Sequence, residues 1–139
     1  MNEHYKFFNF PLPYAYDAME PYIDEKTMWL HHDRHLQTYI DDLNAALYEY
    51  PQFQSWSLET LLGNIPKLPQ DIQTDVKNSG GGVFNHRFYF SNLLNPAPAQ
   101  PTGQLKEAIN KKYGNYQHFK EQFKKAASSV FGSGYAWLV

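Results

Sequence analysis

Proline placement is the strongest constraint on how this chain can fold, because a proline inside a helix removes a hydrogen bond and clashes with the preceding turn. The nine prolines of the 139-residue sequence fall in clusters. Three of them lie within residues 11–21, so we expect residues 1–23 to be an extended lead-in. Long helices are then expected in the proline-free stretches 22–50 and 70–95.

The first stretch carries the spacing of an amphipathic helix. Asp24 is placed to cap its first turn, and Pro51 ends it or closely follows its end. Between them the apolar side chains recur in steps of three and four, which is the period of a helix with one buried face. These side chains are Met28, Leu36, Tyr39, Leu43, Ala46 and Leu47.

A second long helix is predicted to begin near residues 69–71. Three glycines at 80–82 interrupt it, and each costs about 1 kcal/mol relative to alanine inside a helix. They indicate either a break or a helix whose backbone approaches a neighbour too closely for a side chain. Helical spacing resumes from Val83 to Leu93, and the segment is apolar almost all round, which is typical of a buried helix.

Residues 95–103 are the best linker candidate, with three prolines in nine positions. Beyond them, apolar spacing predicts two amphipathic helices near 102–112 and 115–131. The last residues, "YAWLV" at 135–139, are strand-like. The fold class predicted from these patterns is mainly α.

Composition excludes several classes of protein. Aromatic residues make up 17% of the chain, which excludes a disordered protein, and the net charge of −2 gives no indication of nucleic acid or an anionic membrane as a partner. There is no cysteine, so any metal must be held by histidine, carboxylate or water. No apolar run approaches the roughly 20 residues of a membrane-spanning helix. The N-terminus lacks the pattern of a signal peptide, and we expect a cytoplasmic protein.

Half of the six histidines lie within five residues of the first helix. His31, His35 and Tyr39 are four residues apart, so they line one side of it. One interpretation is a packed helix whose histidines bond to backbone; the other is a metal or proton-transfer site. Periodicity alone does not choose between His31 and His32 as a ligand.

His86 lies in the most apolar segment, where a buried imidazole needs a partner for each ring nitrogen. Two packed helices that each carry an inward histidine can hold a metal between them. Protein sites for iron, manganese and zinc usually have at least three protein ligands. The candidate carboxylates fall in no buried pattern: Asp17, Asp24, Asp41 and Asp42.

Several motifs, taken together, resemble those of a known protein family. "LPYAYDAMEPYIDEKTMWLHHDRHLQTY" is followed in order by "LNAAL", "NSGGGVFNH", "PTGQLKEAINKKYG" and "FGSGYAWLV". In this order and spacing the chain resembles the iron/manganese superoxide dismutase family from about Phe10 to Val139. The resemblance implies an N-terminal helical-hairpin domain over 1–95. It also implies the beginning of a C-terminal α/β domain over 101–139.

The resemblance also implies a metal site and a reaction. By motif position His31 and His86 are metal ligands, while His35 and Tyr39 lie at the mouth of the substrate funnel and relay protons. His32 is expected to be structural. The implied reaction is the disproportionation of superoxide to dioxygen and hydrogen peroxide. Gly82 stands where iron-type members carry a glutamine, so manganese is favoured, with iron as the alternative.

The resemblance also implies ligands that these 139 residues do not contain. Family members continue to a motif resembling "DVWEHAY", which supplies an Asp and a third His ligand, and they form dimers or tetramers. We therefore expect a truncated chain with weak metal binding and little activity of its own. The alternatives are a non-catalytic helical binding module and, ranked lower, a zinc-type site of His31, His35 and an acidic residue.

Overall fold

The computed structural model describes residues 3–95 and 100–139, and it divides the chain into two compact units, Met1–Asn95 and Pro96–Val139. Every regular element in the described residues is helical, with no strand among them. The predicted linker at 95–103 falls partly on residues 96–99, which lie outside the described residues. Within that described part, no helix is long and apolar enough to cross a membrane.

The first long helix, α1, runs without a break over residues 25–48. The carboxylate of Asp24 caps it, accepting from the backbone N–H of Thr27 at 2.9 Å and from the Thr27 hydroxyl at 2.7 Å. The predicted cap is therefore confirmed. The middle of α1 is wound as a π-helix, which the apolar spacing did not predict. Its segments are Glu25–Trp29 (α), Leu30–Leu36 (π) and Gln37–Tyr48 (α).

A short helix, α2, follows over Leu58–Gly63. The Ser57 hydroxyl caps it by accepting from the backbone N–H of Thr60 at 3.1 Å. Prolines punctuate the connections, as expected from their fixed φ. The remaining short elements of this unit are the 3₁₀ turns Tyr16–Met19, Pro51–Phe53 and Ile65–Lys67.

The second long helix, α3, continues through the glycines over residues 70–91. A Cβ atom on Gly82 would lie 2.4 Å from Cδ1 of Tyr39, well inside van der Waals contact, whereas one on Gly81 would meet nothing within 4 Å. The close-approach interpretation is therefore correct at Gly82, and the break interpretation is wrong. The segments of α3 are Gln70–Asp75 (α), Val76–Gly80 (π) and Gly81–Ser91 (α).

Helices α1 and α3 form an antiparallel pair. Segment 30–36 of α1 contacts segment 81–91 of α3, and segment 37–48 contacts segments 70–75 and 76–80. Their facing side chains and those of α2 form one apolar core, and burial of each large aliphatic side chain contributes about 1.5–3 kcal/mol. The core residues with no exposed surface are Ile40, Leu43, Leu47, Leu61, Val76 and Val83.

The second unit contains helices α4, Gly103–Tyr113, and α5, Tyr116–Ser128. Gly114 separates them with a φ of +82°, a conformation that glycine adopts without strain, and Asn115 caps α5. Both helices were predicted. The strand predicted at 135–139 is wrong in the described residues, because a strand needs a hydrogen-bonded neighbour and no other strand occurs there.

Candidate metal centre

Three imidazoles and a phenol gather where α1 and α3 pack together. Helix α1 contributes His31, His35 and Tyr39 from one side, at successive turns, and α3 contributes His86. The ring centroid of His86 lies 4.8 Å from that of His31, 5.0 Å from His35 and 5.3 Å from Tyr39. The helical spacing of four and the antiparallel packing thus bring together the four side chains expected to carry the site.

His86 is held in a single tautomer suited to binding a metal. Its Nδ1 lies 2.7 Å from the carbonyl oxygen of Gly82, and because a carbonyl only accepts, Nδ1 must donate. In the neutral ring the lone pair is therefore on Nε2, which is buried. Burial lowers the pKa of His86, and the nearby His35 lowers it further, while the bond to Gly82 opposes them. The neutral ring is the form that binds a metal.

His31 meets His86 edge-on, with 78° between the two ring planes. Burial lowers the pKa of His31 from its ordinary 6.5 to about 4, with further contributions from His86, His35 and His32. Both facing imidazoles are thus neutral at pH 7. The rings of Tyr89 and Phe90 pack against His31 at 5.4 and 5.0 Å between centroids.

His32 is turned away from this pair. Its Nε2 lies 2.8 Å from the carbonyl oxygen of Phe10 and its Nδ1 lies 2.8 Å from Oδ1 of Asp33. The other carboxylate oxygen, Oδ2, accepts from the hydroxyl of Tyr16 at 2.8 Å. Both ring nitrogens of His32 are therefore engaged, and it is His31 that faces His86.

Tyr39 and His35 lie on the more accessible side of the cluster. His35 is exposed and Tyr39 half-buried, and their rings are 5.1 Å apart. The Tyr39 ring lies close against Gly82, where a side chain on α3 would displace it. The glycine that looked unfavourable on helix propensity thus makes room for the tyrosine.

No carboxylate completes the cluster in the part of the chain that the structure describes. Residues 3–95 and 100–139 contain no group of three or more His, Asp or Glu side chains arranged to hold a metal. The zinc-type alternative built on His31, His35 and an acidic residue is therefore wrong there. The donor set fits a metal through two neutral, facing imidazoles.

Comparison with known proteins gives the family. The model of the α-hairpin domain of iron/manganese superoxide dismutases matches residues 5–94. The chain belongs to the iron/manganese superoxide dismutase family. The model of the C-terminal domain of the same superoxide dismutases matches residues 101–139. The resemblance in the motifs is thereby confirmed.

Curated superoxide dismutases resemble the chain over most of its length. It is 49% identical over 129 residues to "Superoxide dismutase [Mn]" of Thermus thermophilus, which covers 92% of this chain and 63% of that protein. It is 45% identical over 129 residues to "Superoxide dismutase [Mn] 1" of Leptolyngbya boryana, covering 93% of this chain and 52% of that protein. The chain therefore spans between about half and two thirds of the length of these superoxide dismutases.

Sequence reasoning did not single out Tyr89 as a neighbour of His31. Tyr89 follows His86 by three residues, so it lies on the same side of α3, and its ring packs on His31. Burial raises the pKa of Tyr89. The signal was present in the spacing, but it was hidden because almost every residue of this segment is apolar.

Proposed function

We propose that this chain supplies two histidine ligands, His31 and His86, to the metal of a superoxide dismutase. The observation that supports this is the facing pair of neutral imidazoles, with Nε2 of His86 carrying the lone pair because Nδ1 donates to Gly82. Manganese is the proposed metal, as in the names of the relatives, and iron is the alternative. The chemistry that such an ion supplies is reversible one-electron transfer. One superoxide loses an electron and becomes dioxygen, and another gains that electron and two protons and becomes hydrogen peroxide.

The other side chains of the cluster bind the substrate and handle protons. His35 is exposed beside the pair and is placed to attract the superoxide anion towards it. The hydroxyl of Tyr39, on the same side, is proposed to donate a proton to the reduced substrate. Tyr89 and Phe90 pack on His31 and would limit access of water from their side.

A complete superoxide dismutase site would need further ligands. The remaining Asp and His ligands would come from a "DVWEHAY"-like motif, which residues 1–139 do not contain. We propose residues 1–95 as the helical-hairpin domain, 101–139 as the beginning of the C-terminal domain, and a homodimer or tetramer as the complete assembly. A cytoplasmic location also stays a prediction.

Metal binding by the 139-residue chain tests the proposed site directly. We expect Co²⁺ or Mn²⁺ to bind weakly, and binding to be lost in His31→Ala and in His86→Ala. His118→Ala is the matched control, because His118 is exposed on α5. Binding that survives both ligand variants would contradict the proposal.

The second candidate is a non-catalytic helical module that keeps the family hairpin. It is favoured by the lack of a third ligand in the described residues. Dismutase activity separates the two candidates. We expect little activity from the 139-residue chain and full activity when the coding sequence is extended to a "DVWEHAY"-like motif. A stop codon directly after Val139 would favour the module.

A further inference from the structure

The N-terminal residues 7–10, which we call the strap, lie across both long helices. On the α1 side, Asn44 makes a reciprocal pair of bonds with the strap. Its Oδ1 accepts from the backbone N–H of Phe7 and its Nδ2 donates to the Phe7 carbonyl, both at 2.8 Å. Further along, Nε2 of His32 lies 2.8 Å from the carbonyl oxygen of Phe10, and Nδ2 of Asn9 donates to the His32 carbonyl at 2.9 Å.

Helix α3 holds the same strap through one side chain. Nη2 of Arg87 donates to the carbonyl oxygen of Phe8 at 3.0 Å. The guanidinium carbon lies 5.4 Å from the ring centroid of Phe10 and 6.0 Å from that of Phe7. A charged donor to a carbonyl, flanked by two aromatic rings, is a strong and directional attachment.

The two attachments are next to the two proposed ligands. His32 directly follows His31 on α1, and Arg87 directly follows His86 on α3. They hold carbonyls of the strap that are only two residues apart. Apolar contacts between helices are non-directional, whereas hydrogen bonds require defined distances and angles. The strap therefore links the side chain that follows one ligand to the side chain that follows the other.

We propose that His32 and Arg87 are positioning residues that set the separation of His31 and His86 through the strap. The inference rests on the proposed function, because it assigns the two histidines to a metal. It gives the second histidine of the "HH" pair a purpose other than ligation. It also explains the arginine that follows His86, since Arg87 connects α3 to the strap.

The test compares Arg87→Met with Arg34→Met. Arg34 is the matched control because it is exposed on α1 and lies over the ring of Trp29 at 5.2 Å, away from the strap. We expect Arg87→Met to weaken Co²⁺ binding about tenfold, the scale of removing a group that orients a ligand. Nuclear Overhauser cross-peaks between the rings of His31 and His86 should weaken in the metal-free chain, and Arg34→Met should change neither.

Two further variants keep the test decisive. Arg87→Lys retains one donor and should restore most of the Co²⁺ affinity. If Arg87→Met does not fold, His32→Leu takes its place, and unchanged Co²⁺ affinity and cross-peaks in that variant would equally overturn the proposal. His32→Leu removes the bond to Phe10, and combined with Arg87→Met it should lower the affinity little more than either change alone. Additive losses, or unchanged affinity and cross-peaks in Arg87→Met, would overturn the proposal.

The same measurements distinguish a failure of the proposed metal site from a failure of the strap proposal. If Co²⁺ binding does not depend on His31 and His86, the metal assignment is wrong. The ring cross-peaks of the metal-free chain still report the separation of the two histidines. Unchanged cross-peaks in Arg87→Met would then refute the strap, and weakened ones would support it.

Discussion

Replacing Gly82 with alanine should displace the Tyr39 ring, whereas the same change at Gly81 should stabilise the chain. A Cβ atom on Gly82 would lie 2.4, 2.5 and 2.7 Å from three carbons of that ring. The closest of these is more than 1 Å short of the optimum of about 3.5–4.0 Å between carbons. The atoms are Cγ, Cδ1 and Cε1 along one edge of the ring, so the whole ring must move to relieve the clash. Overpacking of this kind costs about 1–3 kcal/mol.

Gly81→Ala is the control that separates the steric cost at Gly82 from the general effect of replacing glycine with alanine. Both glycines are helical and half-buried, and alanine at Gly81 meets nothing within 4 Å. Each substitution gains about 0.5–1 kcal/mol from reduced backbone entropy. Because that gain is common to both, the difference in unfolding free energy between Gly82→Ala and Gly81→Ala should be about 1–3 kcal/mol.

Urea unfolding followed by circular dichroism measures the difference. A difference below about 0.5 kcal/mol, within the scatter of ordinary surface substitutions, would refute the reasoning. A second comparison checks the cause. In a Tyr39→Ala background the ring is absent, so Gly82→Ala should become as stabilising as Gly81→Ala. Continued destabilisation there would mean that another contact is responsible.

Further predictions concern the strap, the histidines and the α2 cap. Asn44→Ala should destabilise the chain by about 2–4 kcal/mol in urea unfolding, because it leaves two buried backbone groups of Phe7 unpaired. Asn64 is the control: it is half-buried and its amide donates to the Thr60 carbonyl in an exposed bond, so Asn64→Ala should stay within about 0.5 kcal/mol. The pKa of His31 falls from 6.5 in the unfolded chain to about 4 in the folded one, so only the unfolded chain takes up this proton between those values. The free energy of unfolding should therefore fall as the pH drops from 6.5 to 4, and His31 should not affect it above pH 6.5. His31→Gln removes this titrating group, so the urea midpoint of that variant should change less with pH over the same range. Ser57→Ala should cost about 1 kcal/mol by removing the cap of α2, measured by the same unfolding assay, and an unchanged midpoint would contradict that role.

Local patterns predicted most of the fold. The cap at Asp24, the apolar spacing of α1 and the turn at Gly114 each depend on residues within about one helical turn. The start of α3 and the two helices of the second unit were predicted for the same reason. The prediction of a strand at 135–139 is wrong because a strand forms only with a paired neighbour, which can lie anywhere in the chain.

The site was only partly predictable. The line of His31, His35 and Tyr39 follows from helical spacing alone. The choice between His31 and His32 does not, because both lie near the apolar face of α1 and differ by a rotation of about 100°. That choice depends on the strap, whose Phe10 carbonyl accepts from His32 across 22 residues of chain.

The sequence by itself determined where the helices lie, which of their faces are apolar, and that any metal must be held without cysteine. These properties depend on residue type and on neighbours within a few positions. Only the tertiary structure decided that Gly82 is required by the ring of Tyr39, that His31 rather than His32 faces His86, and that the strap joins His32 to Arg87. Each of these depends on a contact between segments distant in sequence, whose distance and direction no local pattern records.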